Sequence, residues 1–65
     1  MNRSKEVLLD LIEDYTADIE HNADLLRYRI YRISGERIKQ AISEMEETAG
    51  KLMLACKDLK KEMER

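Results

Sequence analysis

The sequence predicts an all-α protein, an antiparallel helical hairpin that dimerises into a four-helix bundle. Charged residues make up 40% of the chain, and proline, phenylalanine and tryptophan are absent, a composition typical of long helices. Apolar residues recur at alternating steps of three and four along most of the sequence, which is the period of an amphipathic helix. A chain of 65 residues buries only a small core, so we expect a partner subunit to supply part of its stability.

The first helix is predicted to span about residues 4–33. Ser4 is a suitable N-cap, and Glu6 lies in the first turn, where the helix dipole favours an acid. Further apolar residues on both sides widen its core stripe, which suits a helix that packs against more than one neighbour. The expected core stripe carries Leu8, Ile12, Tyr15, Ile19, Asn22, Leu26, Ile30 and Ile33.

Asn22 is the polar residue on this stripe. A buried amide at such a position fixes the register and the number of partners at some cost in stability. The alternative is a break at His21, with Asn22 as the cap of a new helix.

The second helix is predicted to span about residues 36–64. Cys56 is expected to be a small, buried apolar residue, because it lies on the core stripe. Gly50 should weaken the helix by about 1 kcal/mol relative to alanine, and it marks either a bend or a close contact between helices. The expected core stripe carries Ile38, Ile42, Met45, Ala49, Leu52, Cys56, Leu59 and Met63.

The turn is placed at residues 34–35, because the phase of the apolar stripe changes there. Gly35 can adopt the left-handed conformation that ends a helix, and either Ser34 or Gly35 can cap the next one. The alternative is one continuous helix that absorbs the phase change as a run of four-residue steps. Folding at this turn predicts that three acids lie beside three lysines, namely Asp10, Glu13 and Asp14 beside Lys57, Lys60 and Lys61.

Two helices alone cannot bury stripes as wide as these, so the sequence predicts a homodimer in which two hairpins form an antiparallel four-helix bundle. The oligomer interface is expected to comprise Leu8, Ile12, Tyr15, Ile19, Asn22, Leu26, Ile42, Met45, Ala49, Leu52, Cys56 and Leu59.

The hairpin tip is the predicted partner-binding site. Residues 27–40 carry five bases and one acid, whereas residues 1–26 carry seven acids and two bases. Tyrosine and arginine are enriched at interface hot spots, so we expect a small non-enzymatic protein, a regulator, adaptor or inhibitor, that binds a larger protein. The expected contact residues are Arg27, Tyr28, Tyr31, Arg32 and Arg37.

Two alternatives remain for this tip. An RNA- or DNA-binding regulator would use the same arginines on phosphates and the tyrosines on unpaired bases. The acidic body disfavours broad nucleic-acid affinity, which normally needs a basic domain. In the second alternative the protein is a purely structural oligomerisation module whose tip is idle.

Enzyme chemistry, cofactors and metals are not expected. The sequence has no glycine-rich phosphate loop and no nucleophile with a neighbouring base. Asp18 and His21 have a spacing used in di-iron bundles, but they lie off the core stripe. One cysteine and one histidine cannot supply the four ligands of a structural zinc site. The lone Cys56, without a signal-peptide pattern or a long apolar run, predicts a cytoplasmic protein that does not enter a membrane.

Overall fold

Two α-helices make up nearly all of the part of the chain that the computed structural model describes, residues 4–29 and 34–64. Helix α1 is Lys5–Arg29 and helix α2 is Gly35–Met63. They pack against one another as a hairpin, which confirms the predicted all-α helical hairpin. Residues 30–33, where the first helix was predicted to end, lie outside the described residues.

Helix α1 begins at a serine cap. The Ser4 hydroxyl accepts a hydrogen bond from the Val7 backbone N–H at 3.3 Å, and the Ser4 carbonyl accepts one from Leu8 N at 3.0 Å. The helix runs without interruption through Asn22, so the alternative of a break at His21 is wrong.

Helix α2 also begins at a serine cap. Ser34 has extended backbone (φ −70°, ψ 159°), and its hydroxyl accepts a hydrogen bond from Arg37 N at 3.1 Å. An extended residue interrupts the helical path, so the alternative of one continuous helix is wrong. Gly35 is the first residue of α2, and no glycine in the described ranges has positive φ. The left-handed Gly35 was therefore a wrong prediction, and the Ser34 cap was a correct one.

The core lies between the two helices. Leu8 and Asn22 from α1, and Ala41 and Ala55 from α2, are buried. Residues that lie seven apart on α2 are half-buried beside them, as predicted: Ile38, Met45, Leu52 and Leu59.

The predicted α2 core stripe contains a second set of residues seven apart, Ile42, Ala49, Cys56 and Met63. For the single chain, the prediction that this set is buried was wrong. Ile42 is 43% exposed, Met63 is 67% exposed, and Cys56 is exposed instead of buried. Helix α2 is rotated so that Ala41 and Ala55, the residues before Ile42 and Cys56, are buried against α1. Small side chains at these positions allow the two helix backbones to approach closely, and the larger ones are left at the side.

Gly50 was predicted to mark a bend or a close helix contact, and the contact is absent. The residue is exposed, and a Cβ built there would meet no atom within 4 Å.

A side-chain hydrogen bond joins the helices within the described residues: Thr48 Oγ1 donates to Asp18 Oδ2 at 2.7 Å. Within single helices, Arg27 forms an ion pair with Asp24 at 3.9 Å, and Lys51 forms one with Glu47 at 3.7 Å. Within residues 4–29 and 34–64, the acids of residues 10–14 form no ion pair with the lysines of residues 57–61, because both groups are exposed to solvent away from the helix contact. That predicted pairing is wrong.

The hairpin is slender and has much surface for its mass. Its principal extents are 48 × 15 × 15 Å and its radius of gyration is 14.7 Å, against about 11 Å for a compact chain of this length. The accessible surface is 5399 Å², whereas a compact monomer of 7.7 kDa exposes about 4,300 Å². The elongated hairpin therefore exposes about 1,100 Å² more than a compact monomer of the same mass.

Candidate interaction surfaces

The two long sides of the hairpin differ in polarity, and the interhelical hydrogen bond shows which residues share a side. The core positions of α1 are Leu8, Tyr15 and Asn22, and those of α2 are Ile38, Met45, Leu52 and Leu59. Asp18 follows Tyr15 by three residues, and Thr48 follows Met45 by three residues. Since their side chains meet, the positions three residues after the core positions lie toward the same long side of the hairpin, and on α2 they include Ala41 and Ala55, which are turned inward against α1. In an antiparallel pair of helices, the residues four positions after each core position then lie together on the opposite long side.

This second side, called the apolar side below, carries no charged residue at the positions that follow the core by four. From α2, Ile42, Cys56 and Met63 are exposed. Exposed apolar surface of this kind is typical of interaction sites. The apolar side consists of Ile12, Ile19 and Leu26 from α1 and of Ile42, Ala49, Cys56 and Met63 from α2.

The predicted oligomer interface divides into two groups in the structure. Leu8 and Asn22 are buried between the helices of the single hairpin, so they are covered before any second copy arrives. The other ten are half-buried or exposed. Whether they meet a second copy remains a prediction.

Three further exposed apolar residues lie on or beside the apolar side without belonging to the predicted set of interface residues, namely Leu9, Met53 and Met63. Met63 continues the seven-residue repeat of Ile42, Ala49 and Cys56, so the signal for it was present in the sequence. Leu9 and Met53 each follow a core position by one residue and lie at the edge of the apolar side. The stripe alone does not show whether such a residue belongs to the rim of an interface or is simply exposed to solvent.

Asn22 holds an unsatisfied polar atom in the core. Its side chain is 1% exposed, and its Nδ2 donates to the Asp18 carbonyl at 3.1 Å. Its Oδ1 is buried without a hydrogen-bond partner. A buried acceptor left unpaired costs about 1–3 kcal/mol, so this residue weakens the hairpin at its centre.

The structure describes part of the predicted tip site. Arg27 is exposed, with its Nη1 near Asp24, and Arg37 is half-buried, with an Nη1 that is enclosed and has no hydrogen-bond partner. Tyr28 belongs to α1, but its side chain lies outside the described residues, as do Tyr31 and Arg32 altogether. Whether the five predicted contact residues form one surface is therefore still a prediction.

Across residues 4–29 and 34–64, no group of three or more His, Cys, Asp or Glu side chains is placed to hold a metal ion. Neither α1 nor α2 combines the length and the apolar character that a bilayer-spanning helix requires. Comparison with protein-family models, with curated proteins and with solved structures finds no match to this chain.

Proposed function

We propose that this chain is a small non-enzymatic interaction protein, a cytoplasmic regulator, adaptor or inhibitor. It homodimerises through the apolar side into a four-helix bundle and binds a larger protein through its tip. The observation that carries the proposal is the apolar side itself, a row of uncharged side chains left open along one side of the hairpin.

A second copy of the chain is the occupant we propose for this side. A standard interface would cover about 800 Å² on each partner. Two-fold symmetry makes such an interface self-complementary, apolar side against apolar side. Ile38, Met45, Leu52 and Leu59, which are half-buried in the single hairpin, would become the centre of the bundle.

The tip supports binding of a larger protein through its residue types. Residues 27–40 combine five bases with two tyrosines. Tyrosine and arginine contribute most at protein interfaces, because they bury large area and form directional contacts. The RNA- or DNA-binding alternative uses the same residues, and a purely structural module uses none of them.

Light scattering on a sizing column tests the dimer. We expect a mass of twice 7.7 kDa that persists over a tenfold dilution with reductant present. Ile42→Glu places a charge on the apolar side and should yield a helical monomer. Leu54→Glu is the matched control, because Leu54 is 62% exposed and lies on the outer side of the same helix. A monomeric wild type, or a dimeric Ile42→Glu variant, would contradict the proposed dimer.

The tip is tested separately in the folded dimer. Tyr28→Ala combined with Tyr31→Ala should abolish capture of a protein partner while mass and helicity stay unchanged. If this variant keeps every partner that the wild type captures, the tip is not the interface.

Nucleic-acid binding is measured with labelled RNA and DNA oligonucleotides over a salt series. Replacement of Arg27, Arg29 and Arg32 by alanine should lower the affinity and flatten its salt dependence if the alternative holds. Absence of binding by the wild type at low salt would exclude that alternative.

A further inference from the structure

We infer that the second copy packs on the apolar side in the opposite orientation, so that the dimer carries one tip at each end. This rests on the proposed dimer and adds its geometry. Two-fold symmetry allows two arrangements of face-to-face hairpins. With the tips together, α1 packs on the partner's α2. With the tips apart, α1 packs on the partner's α1, and α2 on the partner's α2.

Charge along the hairpin favours the arrangement with the tips apart. Residues 27–40, at the tip, carry five bases and one acid, a net charge of +4. Residues 1–14 and 54–65, at the open end, carry seven acids and six bases, a net charge of −1. When the tips lie together, the net charge of +4 on one tip lies beside the net charge of +4 on the other. Tips placed apart set each basic tip beside the weakly acidic end of the other copy, and like-charge contact at the tips is avoided.

The net charge of the described part of the tip is also positive. The helix ends there hold Arg27, Arg29, Arg37 and Lys39 against one acid, Glu36. The middle of the hairpin is acidic, but middle faces middle in both arrangements. The choice of orientation therefore depends on the ends.

The centre of the apolar side also suits the opposite orientation. Helix α2 spans Gly35–Met63, and its middle residue is Ala49. With tips apart and full overlap, the two-fold axis passes Ala49, where the two α2 helices would cross. A small residue at that point lets their backbones approach closely. Ile42 then lies at the level of the partner's Cys56, a large side chain against a small one.

The expected positions of Ala49 and Cys56 give a direct cross-linking test. In the opposite orientation, two Ala49 residues meet at the axis, within the Cα separation of about 4.4–6.8 Å that a disulfide needs once the backbones relax. Cys56 lies seven residues away, so its two copies are about 21 Å apart along the axis. With the tips together, the two α2 helices lie diagonally across the bundle, and neither pair can join.

The first experiment is oxidation of a single-cysteine variant, Ala49→Cys with Cys56→Ala, compared with the wild type. Rapid formation of a covalent dimer by the variant, with the native Cys56 remaining unlinked, is the expected result. The wild type is a matched control, because Cys56 lies on the same side of the same helix one heptad away.

The second experiment measures distances between spin labels in the Cys56→Ala background. A label at Glu36→Cys, 13 residues from Ala49, should show an intersubunit distance near 39 Å, from a rise of about 1.5 Å per residue. A control label at Lys51→Cys, close to the axis, should show a short distance. Short distances at both positions, without an Ala49→Cys cross-link, would overturn the opposite orientation.

The mass of the same samples shows whether a negative result contradicts the dimer itself or only the orientation of its two copies. A monomer by light scattering defeats the proposed dimer and the orientation together. A dimer with short Glu36→Cys distances defeats the orientation alone. With one tip at each end, the dimer would hold two copies of its partner apart, as a rigid bivalent linker.

Discussion

Replacing Asn22 by leucine should stabilise the protein, because it removes the buried oxygen that has no partner. That oxygen costs about 1–3 kcal/mol. The substitution also removes the hydrogen bond from the Asn22 side chain to the Asp18 carbonyl, which costs about 1 kcal/mol. This carbonyl still accepts the helical hydrogen bond from the backbone N–H of residue 22, so it is not left unpaired. Burial of leucine adds about 1.5–3 kcal/mol, offset by about 1–3 kcal/mol for fitting a branched side chain into a packed site. The net expectation is a gain of about 1–2 kcal/mol.

Urea denaturation followed by circular dichroism measures this gain at fixed protein concentration, since the stability of a dimer depends on concentration. In a thermal scan, each kcal/mol should raise the midpoint by about 4–8 °C. Asn22→Asp is the matched control: it keeps the shape and adds a buried charge, so it should destabilise strongly.

A loss of 1 kcal/mol or more in Asn22→Leu, with helicity retained, would refute the reasoning, since it would show that the oxygen is paired in the assembled protein. Light scattering on the variant should accompany the denaturation, because a buried amide can specify the number of subunits. A change from dimer to a larger assembly would indicate that Asn22 has this role.

Three further substitutions follow from local geometry, each measured by urea denaturation. Ser34→Ala should cost about 1 kcal/mol by removing the cap on Arg37 N, whereas Ser34→Gly should cost only a few tenths; equal losses would contradict a capping role. Gly50→Ala should stabilise by about 1 kcal/mol, because the added Cβ enters open space; a loss would mean that another chain covers that face. Thr48→Val should cost about 0.5–1.5 kcal/mol, and a double-mutant cycle with Asp18→Ala should show coupling; additive effects would exclude a contribution from their hydrogen bond.

The sequence was sufficient to predict the hairpin and the Ser4 cap of α1, and to limit the cap of α2 to Ser34 or Gly35, because these depend on local chemistry. Ser34 combines a hydroxyl acceptor with a position just before the apolar stripe resumes, which is the pattern of an N-cap. Gly35 was interpreted wrongly, since glycine permits the left-handed conformation without requiring it.

The rotation of α2 could not be predicted from its stripe. Positions 41, 48 and 55 and positions 42, 49 and 56 both alternate with the half-buried residues at steps of three and four. The pattern therefore fits two rotations of the helix about its axis. Close packing on α1 decides between them, and it selects the side with Ala41 and Ala55. That choice leaves Ile42 and Cys56 open and so creates the apolar side.

The predicted lysine and acid pairs failed for a related reason. The Asp18–Thr48 contact places residues 10–14 level with about residues 52–56, so Lys60 and Lys61 lie beyond these acids toward the open end of the hairpin. The direction of the side chains around each helix was not considered either. Residues such as Asp10 and Lys57 are exposed away from the helix contact. Long charged side chains in water gain little from pairing, so they do not determine the rotation of a helix.

The repeat of seven on α2 also makes the length of the hairpin adjustable. Ile38, Met45, Leu52 and Leu59 form successive layers of the same kind. Each layer contacts mainly the layers above and below it, so inserting seven residues at matching heights in both helices should preserve every contact outside the insertion. Such an insertion would lengthen the hairpin by about 10.5 Å. The spacing between the two ends is therefore a property that evolution or an engineer can change in fixed steps without altering the tip.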